Sequence, residues 1–290
     1  MPPKGNASLD LWSEHRFVSH DETPIFFRAL TPSSATKTAM IVVHGMGEHG
    51  GRYTAFAEHL ASAGIASYLP DLRGFGQSGG KRGCLRKFSD YFSDLAVVYR
   101  LAKEKAGVSG LFFMGHSYGG LVVSSFLAER PEIEARGLVL SSPNFGISLK
   151  IPRWRHFLAC AGSCLFSDLT QNNRVDPAFL THDAEIKKKY GSDRLIHHQI
   201  SARLYSELVR MIRCADTTAS RIHIPALVLQ AGDDRVVSRE ATVRFFEKLR
   251  SQNKELEIYE GLYHELLNET TREAIFLKIS QWVLSRSIFN

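Results

Sequence analysis

The chain has 290 residues, of which 44% are hydrophobic and 23% charged, with a formal net charge of +6; this is the balance of a globular protein that buries a core without staples, and it excludes disordered and fibrous classes. Four cysteines are too few for a disulfide framework, no run of 18 apolar residues offers a membrane span, and the polar start Met1-Pro2-Pro3-Lys4 has no apolar stretch behind it, so a cytoplasmic protein is expected. The basic residues are scattered rather than set in a helix interleaved with aromatics, so no nucleic-acid partner is expected, while excess positive charge leaves an anionic lipid surface open.

Leu9 to Val18 and Pro24 to Ala29 read as an antiparallel hairpin turning at His20-Asp21-Glu22. Short apolar runs follow at Met40–His44, Ile65–Leu69, Gly110–Met114, Gly137–Ser141, Ala226–Gln230 and Leu256–Tyr259. Nearly continuous apolar character, rather than alternation, marks strands covered on both faces, as in a parallel sheet. Helical patterns alternate with them at Arg52–Ala63, Ser89–Lys105, Ser117–Glu129, Arg239–Arg250 and Thr271–Ser285, which predicts a doubly wound α/β sheet. The alternation stops between Pro143 and about Arg221, a stretch with no convincing strand. It is expected to be a helical cap over the strand ends (143–220), inserted in a core made of 1–142 and 221–290.

Gly115-His116-Ser117-Tyr118-Gly119 matches G-x-S-x-G between a strand and a helical run. That context defines a nucleophile elbow, in which a sharp turn exposes the serine, and it makes the expected fold an α/β-hydrolase with Ser117 as nucleophile. A serine hydroxyl needs a base, and the base needs an orienting acid, which in this fold follow in the order Ser, Asp or Glu, His. The strand at Ala226 runs into Asp233-Asp234, and the strand at Leu256 runs into His264, the only histidine after His223. Asp233 and Asp234 point in different directions, so one alone can face His264; the pattern leaves the choice open. Asp71, after an earlier strand, reads as a turn former in Asp71-Leu72-Arg73-Gly74.

Acyl transfer places negative charge on the substrate oxygen, which backbone N–H donors stabilise. One donor is expected from Tyr118, the residue after the nucleophile. The other is expected from Met46, in the glycine-rich loop His44-Gly45-Met46-Gly47-Glu48-His49-Gly50-Gly51-Arg52-Tyr53. No metal or organic cofactor is required; Cys160 and Cys164 stand four apart without a matching pair and read as structural thiols.

These motifs, with Asp71-Leu72-Arg73-Gly74-Phe75-Gly76-Gln77-Ser78 and Tyr259-Glu260-Gly261-Leu262-Tyr263-His264, resemble the monoacylglycerol lipase and lysophospholipase group of α/β-hydrolases over about residues 15 to 285. The resemblance implies Asp234 as the acid, and Glu48, Arg52 and the cap residue Tyr190 near the polar end of the substrate. It implies a carboxylester hydrolase acting on single-chain lipids, with a lysophospholipase, small-ester esterase or thioesterase as the alternative. A non-catalytic binding protein of this fold is expected to have lost a triad residue. One departure is Leu267, where the family's human-type members have a second histidine. Within the cap, Ile147, Ile151, Trp154, Leu158, Ala161, Leu165 and Leu169 form an apolar stripe, which either packs on the core or faces an acyl chain or a membrane surface.

Overall fold

The computed structural model describes residues 11–146, 169–172 and 175–287. Its sheet has eight strands. The hairpin β1 (Leu11–Val18) and β2 (Pro24–Thr31) pairs antiparallel, with Phe17 opposite Ile25. The core strands are β3 (Thr38–Val43), β4 (Ile65–Pro70), β5 (Leu111–His116) and β6 (Ala135–Ser141). After a small separate pair, β7 (Thr170–Asn172) and β8 (Gln199–Ser201), come β9 (Ala226–Ala231) and β10 (Lys254–Tyr259). The sheet order is β1-β2-β4-β3-β5-β6-β9-β10, parallel from β4 onward.

The helices are α1 (Thr54–Ser62), α2 (Ser89–Ala106), α3 (Tyr118–Glu129), α4 (Ala184–Ser192), α5 (Ala202–Arg213), α6 (Ala215–Ala219), α7 (Arg239–Lys248) and α8 (Arg272–Ser285). Successive residues of a strand face opposite sides of a sheet, and here both sides are covered. Ile41, Val43, Phe113, Leu138 and Leu140 join α2 and α3 in one hydrophobic cluster. Met40, Val42, Phe112, Met114 and Val139 join α1 and α8 in another. This double burial is why β3, β4 and β9 are fully buried along their length and read as unbroken apolar runs. At the sheet edge β10 is half-buried instead, and its Glu255 accepts a hydrogen bond from the Trp282 indole at 3.0 Å.

The sequence expectations hold for every core strand and helix to within a few residues, the usual uncertainty of element ends. The run expected to be helical from Arg52 opens as a 3₁₀ turn at Gly50–Tyr53 before α1 begins. One expectation is corrected. The stretch between Pro143 and Arg221 does contain strand, since β7 and β8 pair antiparallel with Thr170 opposite Ser201. Three-residue strands are too short to show a period in sequence, and their pairing spans residues far apart in the chain. The apolar stripe expected for a cap, from Ile147 to Leu165, and Cys160 with Cys164, lie outside the described residues; Leu169 is exposed.

β3 and β5 lie side by side while the chain leaves them toward opposite edges of the sheet. Such a switch point opens a crevice at the carboxyl ends of the strands. The loop after β3 and the serine after β5 both stand there.

Candidate active site

The elbow is built by close backbone approach. A Cβ on Gly115 would stand 2.5 Å from the Gly119 carbonyl oxygen, and one on Gly119 would stand 2.2 Å from the Val43 carbonyl oxygen. Only glycine lets α3 start this close to β3 and β5. Ser117 takes φ 52° and ψ −118°, a conformation that costs of order 1–3 kcal/mol for a residue with a Cβ and persists only when the surroundings hold it. Here its N–H donates to Ser141 O at 3.0 Å, and its carbonyl accepts from Asn144 N at 2.9 Å. The Tyr118 N–H is at the first helical position, where no intrahelical acceptor exists. The Tyr118 ring is fully buried, edge-on to Phe88 and Tyr91, so that residue offers its backbone alone to the crevice.

After β9 the chain turns through Asp233 and Asp234. Asp233 is exposed, and its N–H donates to Leu262 O at 3.1 Å. The Asp234 side chain is buried completely. Its Oδ1 accepts from the N–H groups of Val236 at 2.8 Å and Val237 at 2.9 Å, and its Oδ2 accepts from His264 Nδ1 at 2.8 Å. An ionised carboxylate only accepts, so the bond fixes the proton of His264 on Nδ1 and leaves Nε2 with a free lone pair. Burial alone favours the neutral form of both partners. The attraction and hydrogen bond between them prevail, holding Asp234 below the usual carboxylate range and raising His264 above 6.5, with Glu265 and Glu48 adding to the latter. The neighbouring His116 ring, 4.8 Å from that of His264, is driven down to about 4 by burial and then by His264. It is therefore neutral beside the site, and its Nδ1–H donates to Ser141 O at 3.1 Å.

The loop after β3 is rigidly held. His44 accepts from Leu72 N at 2.9 Å through Nε2, so its Nδ1 carries the proton that bonds Gly45 O at 2.7 Å. Asp71 accepts from Gly50 N at 2.8 Å and Gln77 N at 2.7 Å, the turn-forming use expected of it. Met46 is half-buried against the core. Beyond the loop, His49 Nε2 meets Asp193 Oδ2 at 2.9 Å, and Gly47 O accepts from His197 N at 3.0 Å. The chain after α4 therefore docks on the glycine-rich loop.

Glu48 and Arg52 are committed to internal partners. Glu48 accepts from Gly45 N at 2.6 Å and Tyr53 OH at 2.7 Å, and from Arg52. Burial opposes its charge, but the Arg52 guanidinium, with the Tyr53 hydroxyl, outweighs that and holds it at about 2. Arg52 also clasps Glu265 through two bonds of 2.7 Å. Tyr190 covers the guanidinium at 4.9 Å, with its hydroxyl pushed up to about 12 by burial and then by Glu265. Glu265 is the member of this group that sequence reasoning missed. Its signal was a lone acid directly after His264 and before the apolar pair Leu266-Leu267. Leu267 itself is buried.

A mostly parallel sheet with a strained serine at the switch point, and a buried histidine–aspartate pair whose imidazole lies 4.8 Å from the His116 ring in the elbow, is the arrangement of the α/β-hydrolase superfamily. The chain belongs to the serine aminopeptidase S33 family, whose model matches residues 34–271. It is 29% identical over 238 residues to phospholipase YtpA of Bacillus subtilis, covering 82% of this chain and 91% of that protein. It is 27% identical over 274 residues to a monoacylglycerol lipase of Mycolicibacterium smegmatis, covering 94% and 97%. The crystal structure of a Paleococcus ferrophilus monoacylglycerol lipase superposes with a TM-score of 0.81 at 30% identity, covering 95% of this chain and 99% of that one. The chain is thus a monoacylglycerol lipase- and phospholipase-like α/β-hydrolase. Among the described residues no helix is long and apolar enough to cross a membrane.

Proposed function

We propose that this chain is a serine carboxylester hydrolase that cleaves single-chain lipid esters through an acyl-enzyme on Ser117. The observation that carries the reading is the Asp234–His264 bond, which leaves Nε2 as the accepting nitrogen of an imidazole 4.8 Å from the His116 ring of the elbow. Ser117 Oγ attacks the ester carbonyl as its proton passes to His264 Nε2. Negative charge builds on the carbonyl oxygen, facing the N–H groups of Tyr118 and Met46. The C–O bond to the alcohol then breaks, and His264 returns the proton to the leaving oxygen. A water adds to the acyl group by the same route, the carboxylic acid leaves, and Ser117 regains its proton. Asp234 keeps the imidazole oriented throughout. No cofactor enters.

In this reading Glu48, Arg52 and Tyr190 belong to the side where the alcohol departs, and the insertion expected at 143–220 to a cap over the acyl side. The similarity to lipases that act on monoacylglycerols supports a lipid substrate, taken up by a cytoplasmic protein whose basic cap touches anionic membranes. Each buried methylene is worth about 0.8 kcal/mol, so kcat/KM is expected to rise from acetyl to medium and long acyl chains, and one-chain glycerol esters are expected to outrun triacylglycerols. A panel of esters, lysophospholipids, acyl thioesters and aminoacyl amides tests this; a preference for acetyl esters, or amide cleavage without lipid esterase activity, contradicts it. Labelling of Ser117 by a fluorophosphonate separates the enzyme from a non-catalytic binding protein.

The base must be neutral to accept the serine proton. Because Asp234, Glu265 and Glu48 together outweigh burial and raise His264 above 6.5, activity is lost as pH falls through that raised value. The acid limb of a kcat/KM profile is expected to have its midpoint above pH 6.5. A midpoint well below it contradicts the assignment of the base.

A further inference from the structure

Among the described residues around His264 and Arg52, buried carboxylates outnumber buried arginines and lysines, and the reading above puts this group where the alcohol departs. Glu48, Glu265 and Asp234 are buried, and Arg52 is the cation bound among them. These groups are close to the reacting atoms. Glu265 follows His264 directly, and a Cβ built on Gly45 would lie 2.9 Å from Glu48 Oε1, 3.3 Å from His116 and 3.4 Å from the Ser117 Cβ.

Arg52 has little left to offer an incoming anion. One terminal nitrogen serves both Glu48 and Glu265, the other serves Glu265, and the Tyr190 ring covers the guanidinium at 4.9 Å. Asn268 Nδ2 donates to Glu265 Oε2 at 2.9 Å, so the acid is held in this pose from its other side. Glu48, Arg52 and Glu265 together carry one net negative charge.

We propose that Glu265 is a specificity-determining residue: by clasping Arg52 against Glu48 it gives the leaving-group side a net negative wall, which admits esters of uncharged alcohols and rejects esters whose leaving alcohol carries a phosphate. The inference rests on the ester-hydrolase reading above. A phosphate monoester carries about −1.5 to −2 charges at pH 7, and like charges in a water-poor site repel far more than in bulk water. Any phosphate placed where the alcohol departs meets carboxylates whose buried counter-ion, Arg52, is already taken. Replacing Glu265 with Gln leaves Arg52 paired with Glu48 alone and removes the excess charge from the trio.

The test compares monoacylglycerol with lysophosphatidic acid of the same acyl chain, and p-nitrophenyl octanoate as a substrate whose leaving group resembles neither. The unaltered enzyme is expected to favour the uncharged lipid by on the order of 100-fold in kcat/KM, and Glu265→Gln to narrow that ratio about tenfold or more. A purely structural role would lower all three substrates by one common factor, and that result overturns the proposal. A second measurement does not depend on the variant folding. Uncleavable alkyl ethers of glycerol and of glycerol phosphate compete against p-nitrophenyl octanoate on the unaltered enzyme, and the uncharged ether is expected to inhibit at least about tenfold more tightly. Equal inhibition, or equal hydrolysis of the two lipids, overturns this inference while leaving the ester hydrolase intact. Failure to hydrolyse any ester overturns the function proposed above and this inference with it.

Discussion

Replacing Ser117 with Ala is expected to lower kcat by on the order of 10⁶, with His264→Ala costing about as much and the double variant little more, because nucleophile and base act as one unit. Neither change is expected to unfold the protein. The elbow is held by backbone contacts, from Ser117 N to Ser141 O and from Asn144 N to Ser117 O, which an alanine keeps, and its Cβ meets the same strain at φ 52° as the serine's. Turnover of the best ester in the panel, beside thermal unfolding of each variant, checks the claim. A His264→Ala protein that retains most of its activity removes histidine from the role of base and the triad with it. A large drop in melting temperature alongside lost activity makes the substitution structural, and the assignment to Ser117 then fails this test.

The sheet was legible in the sequence because its strands are covered on both sides. Where Met40, Val42 and Met114 face one helical layer and Ile41, Val43 and Phe113 the other, no position is free to be polar, and each run reads as strand. The elbow was legible for a related reason: glycines at 115 and 119 are demanded by carbonyl oxygens that leave no space for a Cβ, so a fixed spacing shows through. Pairings across long separations were not legible. The contact of Thr170 with Ser201 depends on chain paths that no local pattern encodes.

The same holds for polar groups. Residues 48 and 52 could be singled out as polar in a glycine-rich loop, but not that they turn inward. That follows from Glu265, which is brought to Arg52 only when the loop after β10 folds against the loop after β3. A lone acid beside a histidine in sequence has no distinguishing mark. Its meaning comes from the buried guanidinium it meets. The tautomer of His44 is likewise set by Leu72 N, a backbone donor that any residue type supplies.

Between the adjacent aspartates, Asp234→Asn is expected to lower kcat by roughly 10⁴ and Asp233→Asn by no more than a few-fold, a difference that follows from which atoms of Asp234 are in use. Oδ1 accepts from two backbone N–H groups, of Val236 and Val237, and Oδ2 accepts from His264 Nδ1 and, at 3.3 Å, from Gln230 Nε2. An asparagine must keep its oxygen toward the backbone donors, so its amide nitrogen faces His264 and Gln230. Two donors then confront each other across 2.8 Å unless the imidazole moves its proton from Nδ1 to Nε2. With the proton on Nε2 there is no lone pair to take the one on Ser117, so the site keeps its shape and loses its base. Asp233 makes its backbone bond to Leu262 O whichever side chain it carries, and its exposed carboxylate leaves no buried partner behind when it becomes an amide. Steady-state rates of the two variants on one ester, with fluorophosphonate labelling slowed in the first and unchanged in the second, are the expected result. Equal losses in the two, or a larger loss at Asp233, overturn the choice of Asp234 as the residue that orients the base.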